Sequence, residues 1–544
     1  MNRFRGNPWA ILIALCLGFF MTLLDLTIVN IAIPNMIDKM NITYDHVLWV
    51  INAYILVLAV LLITCGRLGD LLGKRNLYLA GIAVFTAASL LCGISQSPSQ
   101  LIAARAVQGL GAALLMPQTM SIIVGVFPAE RRGAALGVWG AVAGVATIAG
   151  PTLGGLLVSA FDWRWIFFIN VPIGIFVLIV TPFVIPTDKK MARTHAFDIP
   201  GVVLVSVALF CLTFALNEGQ RYNWGTIAGV LSIPALLIVG VVLLIVFFVL
   251  EARRQDREPL VPFALFRDRN YAIMNFTSAA LSIGMTGMFL SFTIYLQSVL
   301  GMSALKAGLI SGPMSLISVI IAPIAGKLTD KIGGKFIVFA GLSLFTIGLI
   351  VLQPMTHADS SIWAVLPGLI IMGFGMGCTF APLATVAMRN ISPALAGAAS
   401  GMMNTNRQIG SVIGTAAVGA LLQNRLAAAF TAEATKRAPA LPAAARKPFV
   451  DGFRTAASHG LQLGAGENGG AAKSPAGTPP QVVRQVQDAS QAVFTHGFVH
   501  AMHITSVLPI ATLAVGAASC LFLKRGAKTP EPVRQPEPAI GGAG

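Results

Sequence analysis

Apolar and polar positions alternate along this chain on the scale of a bilayer. Runs of about 20 apolar residues, the length that crosses a hydrocarbon core as one helix, are separated by short polar stretches. Fourteen such runs are counted, centred near Met21, Leu58, Ala87, Leu115, Ile148, Phe176, Leu209, Leu237, Leu290, Leu316, Leu344, Met372, Thr415 and Leu513. The pattern predicts an all-α polytopic membrane protein. The first run, from Pro8 to Pro34, has no small-residue cleavage pattern after it and is followed by many like it, so it is expected to be retained as a span. An even count returns both ends of the chain to one side.

Composition agrees: 56% of the 544 residues are hydrophobic, 11% are charged, and the mean hydropathy is +0.79, values a water-soluble domain of this size does not reach. Lys and Arg then assign the sides, because cytoplasmic loops hold positive charge and short translocated loops lack it. The amino terminus, the loops after the even-numbered spans and the carboxyl tail hold 23 basic residues, against only Lys39, Arg164, Arg221 and Lys306 in the short loops opposite. Both termini are therefore expected in the cytoplasm. The net charge of +16 is dispersed over these loops without interleaved aromatics, which fits orientation and contact with anionic lipid and excludes a nucleic-acid surface. Cys16, Cys65, Cys92, Cys211, Cys378 and Cys520 all fall in or beside apolar runs without metal-ligand spacing, and read as reduced packing residues.

Two stretches repeat. "GRLGDLLGKR" begins at Gly66 and "GKLTDKIGGK" at Gly326, with Gly, Leu, Asp and Gly at the same offsets, each after a span that runs inward. The chain thus divides into a six-span bundle at 1–186, an inserted two-span hairpin with its linker at 187–270, a second six-span bundle at 271–524, and a tail at 525–544. In each turn the glycines let helix ends approach, and Asp70 or Asp330 can meet either a helix amino terminus or an Arg across the bundle interface. Neither turn is a phosphate loop, since Gly69 to Gly73 is one residue short of the required spacing and no Ser or Thr follows Lys74. The long outer loop at 425–499 is rich in Ala, Gly and Pro. Its centre, Gly464 to Pro480, is expected to be disordered between an extension of span thirteen and an amphipathic lead-in to span fourteen.

With the turn from Gly66 through Asp70 and Gly73 to Arg75, "RAVQGLGAA" from Arg105, "AGPTLGG" from Ala149, "LLDLTIVNIAIP" from Leu23 and "WRWIFFINVPIG" from Trp163, the chain resembles the major facilitator superfamily, and within it the fourteen-span drug:proton antiporter branch of the EmrB/QacA type. The resemblance covers essentially the whole membrane portion. It implies two six-helix bundles around a central cavity, gating at the Asp70 and Asp330 turns, and export by antiport through the motif at Gly150, Pro151, Gly154 and Gly155. It implies no cofactor, with the proton gradient as the driving force. Expected partners are a lipophilic small molecule, protons and membrane lipids; an accessory export protein is left open.

The residues carry their own argument for transport. Asp25 is the one acid deep in a span, and Arg105 and Arg407 are the basic residues inside spans. Counted along their helices, Asp25 lies about 26 Å and Arg105 about 33 Å from the cytoplasmic face, so a partnership, direct or through water or substrate, fits their depths, as does a fixed structural ion pair. Burial favours the neutral acid and a neighbouring guanidinium favours the carboxylate, so this group can change charge during a cycle. The glycines of span five form a smooth face for a neighbouring helix, with a kink expected at Pro151. Aromatic and amide groups, Tyr54, Gln118, Phe289, Phe292, Tyr295, Gln297 and Asn406, are candidate cavity walls, and Arg407 reads as a pathway or packing residue. His496, His500 and His503 share a helix face, which is either a solvated surface or a site for zinc or pH sensing. The expected function is proton-coupled export of lipophilic or cationic drugs by alternating access; the alternatives are an exporter of an endogenous metabolite or lipid, and a symporter or uniporter. A membrane enzyme is disfavoured, because the chain has no HExxH, no G-x-S-x-G and no acid pair within one span.

Overall fold

The computed structural model describes residues 6–524 except 41, 43, 188–197, 220, 223, 230, 256–258 and 459–479. The central part of the outer loop up to 479 and the tail at 525–544 thus lie outside the described residues. Among the described residues, fourteen helices are long and apolar enough to cross a membrane. Such helices form because a backbone in hydrocarbon must satisfy its own polar groups, and each does so along its length. Their ends carry local signals: Ser97, Ser232 and Asp268 accept hydrogen bonds from the backbone of Gln100, Ala235 and Tyr271. Gly73 and Gly333, with φ of 99° and 85°, stop two of the helices at equivalent points of the repeat.

The first bundle contains α1 (Pro8–Met40), α2 (Tyr44–Leu72), α3 (Lys74–Ile94), α4 (Pro98–Val126), α5 (Arg132–Ala160) and α6 (Asn170–Val184). The inserted hairpin is α7 (Ile199–Glu218) and α8 (Ile233–Arg253), joined by a two-stranded antiparallel turn, β1 (Thr226–Ala228) and β2 (Leu231–Ser232). The second bundle contains α9 (Arg269–Ile294), α10 (Gly312–Ile332), α11 (Lys335–Leu352), α12 (Ile362–Gly377) with its continuation α13 (Phe380–Met388), α14 (Ala396–Arg437), and, after the outer loop, α15 (Ala443–Ser458), α16 (Pro480–Thr505) and α17 (Val507–Cys520). The bundles meet along two seams, α2 against α14 and α5 against α10.

The hairpin lies over one of these seams. Val205 and Leu209 of α7 cluster with Val60 and Ile63 of α2 and with Met402 and Ile409 of α14. At the far end from the Asp70 turn, Glu218 is 3% exposed and accepts from Asn52 Nδ2 of α2 at 2.8 Å, and it pairs with Arg221 at 3.2 Å. A carboxylate withdrawn from water this completely needs those partners, so it ties α7 to the first bundle.

The outer loop is more structured than its composition implies. At 1.5 Å per residue the 42 residues of α14 extend about 63 Å, twice a hydrocarbon core. Its distal turns carry Leu426, Phe430 and Ala434 into a core with Phe449 and Phe453 of α15 and Val493, Phe494 and Phe498 of α16. The ring pairs Phe430–Phe494 and Phe449–Phe453 lie 5.6 and 5.2 Å apart. Residues 443–458 form a separate helix because Ala445, Phe449 and Phe453 recur every four residues and find an apolar partner face. Phe430→Ala should cost about 3–5 kcal/mol within this outer unit. Hydrogen exchange is expected to quicken in 443–458 and 480–498 while amides of α1 to α6 are unchanged.

Candidate functional site

Asp25 sits in α1 with its side chain fully buried, and Arg105, 1% exposed, comes to it from α4. The two form a direct ion pair, Arg105 Nη1 on Asp25 Oδ2. Neither charge rests on the other alone. Arg105 Nε donates to Val50 O of α2 at 3.0 Å, and its guanidinium lies over the Tyr54 ring at 4.3 Å. Gln108, one turn beyond Arg105, donates through Nε2 to Asp25 Oδ1 at 3.0 Å and accepts from Arg105 Nη1 at 2.7 Å. From Gln108 the network continues to Ser89 of α3 at 3.3 Å, and Ser89 receives Asn170 Nδ2 of α6 at 3.1 Å. Five helices of the first bundle thus surround one carboxylate, and no residue of the second bundle belongs to the set.

Helix α5 connects this set to the seam. A Cβ at Gly154 would lie 2.8 Å from Ile28 Cγ1, and one at Gly150 would lie 2.6 Å from Thr27 Cβ, so both glycines face α1 within two turns of Asp25. Thr27 Oγ1 donates to Ala146 O across the same contact at 3.3 Å. Gly155 faces Leu305, and Gly144 faces Val319 of α10, where a Cβ would lie 2.7 Å from its Cγ2. One helix therefore packs on the helix that bears the acid and on the other bundle. Pro151 lies within α5, which is helical from Arg132 to Ala160.

The two turns of the repeat meet helix amino termini rather than arginines. Asp70, at the end of α2, accepts from Gly397 N and Ala398 N at the start of α14, at 3.0 and 2.8 Å. Asp330, at the end of α10, accepts from Gly133 N and Ala134 N at the start of α5, at 2.8 and 2.9 Å. Each bundle thus caps a helix of the other with the same acid, and the caps close both seams at one end. The close approach needs glycine: a Cβ at Gly66 would lie 2.8 Å from Gly401 Cα. Lys74 Nζ adds a bond to Pro393 O at 2.6 Å, while Arg75 turns away from the seam to Thr187 Oγ1 and Pro182 O.

Several candidate wall residues are engaged elsewhere. Gln118 Nε2 donates to Cys65 O at 2.8 Å, holding α4 to α2 next to Gly69, so it is a packing group and not a cavity wall. Tyr295 is buried and donates to His357 O at 2.8 Å, and Phe292 is buried beside it with ring centroids 6.2 Å apart, so both are committed to the interior of the second bundle. Tyr54 belongs to the charge network described above. Phe289 and Gln297 are half-buried, and Asn406 Nδ2 donates to Asn275 O at 2.6 Å. Arg407 does reach the space between bundles, lining a crevice of about 20 Å³ with Met120 and Trp139 of the first bundle and Phe380, Met403 and Asn404 of the second. The three histidines do not converge: His503 is bonded to Thr356 Oγ1 at 2.8 Å, and among the described residues no group of three His, Cys, Asp or Glu could hold a metal ion.

The arrangement has known relatives. The profile of the Major Facilitator Superfamily matches residues 15–415. The chain belongs to this superfamily. Among its relatives, the multidrug resistance protein Stp of Mycobacterium tuberculosis is 36% identical over 79% of this chain and 78% of its own length. The tetracenomycin C resistance and export protein of Streptomyces glaucescens is 33% identical over 96% and 92%, and the riboflavin transporter RibZ of Clostridioides difficile 32% over 75% and 87%. The solved human organic anion transporter MFSD10 superposes with a TM-score of 0.55 over 76% of this chain and 93% of its own, at 15% identity, which shows the fold alone. This major facilitator chain is therefore a polytopic membrane transporter.

Reading the sequence missed Gln108, Ser89, Asn170 and Trp139. Gln108 carried a signal, since it is three residues after Arg105 on a helix and must share its face. Asn170 lies within the quoted stretch from Trp163, but nothing there singled it out, and Ser89 had no signal, being a common residue in a separate span.

Removing one amino-terminal cap costs about 0.5–2 kcal/mol, a shift of roughly twofold to thirtyfold in an equilibrium. Asp70→Ala or Asp330→Ala should therefore raise, by that factor, the rate at which a cysteine placed at Ser400 in a cysteine-free background is alkylated from the Asp70 side. A leucine at Gly154 should separate α5 from α1 and cut transport by at least about tenfold while leaving insertion normal, measured as flux at matched expression.

Proposed function

We propose that this transporter exports lipophilic compounds from a bacterial cytoplasm in exchange for protons, with Asp25 as the group that carries the proton. The basic side, where Asp70 and Asp330 lie, is then the cytoplasmic side. The observation that carries the reading is a single carboxylate held in the membrane interior by Arg105 and Gln108, on a helix packed against α5. A proton reaching Asp25 from outside removes its charge and frees the Arg105 guanidinium. The five helices then lose the contact that fixed their arrangement, and α5 transmits the change to α10. Loss of the proton to the cytoplasm restores the pair. Each direction of the cycle differs by one charge in a low-dielectric site, which is enough to bias two packings that are otherwise similar in energy. Relatives named for multidrug resistance and for antibiotic export support this direction of transport.

The riboflavin transporter among the relatives favours a second reading, movement of a metabolite. Direction of flux separates the two, since everted vesicles accumulate an exported compound when energised and lose an imported one.

Asp25→Asn keeps the shape and removes the titrating group. It should insert normally and retain substrate binding, but energised everted vesicles should show no substrate-induced proton release; Asp25→Glu should keep partial activity. Full gradient-driven export by the Asn variant at matched expression would place the coupling elsewhere.

A further inference from the structure

The second guanidinium of the membrane interior is treated very differently from the first. Arg105 has a carboxylate, a backbone carbonyl and an amide oxygen as acceptors. Arg407, in α14, has one hydrogen bond among the described residues, Nη2 to the neutral Asn404 Oδ1 at 3.2 Å, and no carboxylate within ion-pair distance. A guanidinium presents five N–H groups and accepts nothing, so most of its donor capacity is unspent. Arg407 is half-buried between the bundles, and a cation held there without an anion is an arrangement that folding alone disfavours.

A second unspent donor belongs to a residue that lines the same crevice from the opposite bundle. Trp139 of α5 is 3% exposed, and its indole Nε1, a donor only, is buried with no partner. Its ring is held by stacking on Phe19, with centroids 4.4 Å apart and planes 18° from parallel. Trp139 and Arg407 line one crevice together with Met120, Phe380 and Met403. Its about 20 Å³ admits a water and no drug-sized molecule. Because its walls come from both bundles, it widens when they separate. Two unspent donors, one of them charged, then face each other across apolar and aromatic walls.

We propose that this crevice is the substrate site and that it selects aromatic acids: flat ring systems bearing a carboxylate or an ionised phenol, with the anionic oxygens on Arg407 and Trp139 Nε1 and the rings between Met120, Phe380 and Met403. The charge assigned to the substrate is thereby negative, where the sequence led to an expectation of lipophilic or cationic drugs. The proposal deepens the export reading by naming its substrate class, but the recognition is an equilibrium property and needs neither gradient nor direction.

Binding to the full-length protein in phosphatidylcholine nanodiscs tests it, with fluorescein as the anionic probe and a cationic rhodamine ester of the same xanthene size as its counterpart, read by fluorescence anisotropy. Wild type should bind fluorescein at least about tenfold more tightly than the rhodamine ester. Arg407→Gln should lose about tenfold or more for fluorescein with no loss for rhodamine, Arg407→Lys should fall between because it keeps the charge without the fork, and Trp139→Phe should weaken fluorescein alone. No gradient exists across the discs, so this assay reads recognition alone, and its result is separate from loss of proton coupling in energised vesicles. A wild-type preference for rhodamine, equal losses for both probes in Arg407→Gln, or displacement of fluorescein by phosphatidylglycerol added to the discs would each overturn the proposal. Were the Gln variant not to fold, the wild-type preference and the Lys variant still decide.

Discussion

A charge in hydrocarbon has to be answered by the protein, because no water is there to answer it. Asp25 is the point where that constraint is most severe, and the organisation of the first bundle follows from it. Arg105 neutralises the carboxylate, Gln108 fills its second oxygen, and Val50, Tyr54, Ser89 and Asn170 complete the shell. Truncating one member of such a pair leaves its partner uncompensated, at a cost of about 3–5 kcal/mol. In the cycle proposed above, removing the charge by a proton has a milder consequence of the same kind: the pair holds five helices in one arrangement and one proton cancels it.

The second organising feature is reciprocity. Asp70 caps a helix of the second bundle and Asp330 caps a helix of the first, each with two backbone N–H groups. Such caps are directional and short-ranged, so they hold only when the helix ends meet in register, and separating the bundles breaks both acids' bonds at once. The glycines at 66 and 401 permit that register. Helix α5 belongs to both devices, since its amino terminus receives Asp330 and its glycine face lies on α1 beside Asp25. A shift of α5 is thus felt at the acid and at the seam, a physically continuous connection between them.

The additions to the two bundles sit where they do for packing reasons. The α7–α8 hairpin covers the α2–α14 seam with aliphatic side chains and is tied down by Glu218 and Asn52. The α5–α10 seam has no such cover from the hairpin. Beyond the membrane, the extension of α14 becomes a platform for α15 and α16, and their phenylalanines form a core of their own, where burial from water again supplies the driving force.

The asymmetry between the two interior arginines shows how far the linear chain could be read. Fourteen spans, the duplicated turn and the isolation of Asp25 were all legible, because hydropathy and charge act on each segment separately and need no knowledge of its neighbours. Depth along a helix even brought Asp25 and Arg105 to compatible levels. What lay beyond reach was which side chains face one another across different helices. Gln118 and Tyr295 looked like cavity walls and are bonded to Cys65 and His357, whereas Trp139, which no sequence pattern singled out, holds an unspent donor. Asp70 and Asp330 had two possible partners each, and the choice of helix amino termini depended on how two bundles dock. Hydrophobicity is a property of a residue and its run, so it can be summed along a sequence; a hydrogen bond is a property of two atoms and the angle between them, and that angle exists only once the helices have been packed.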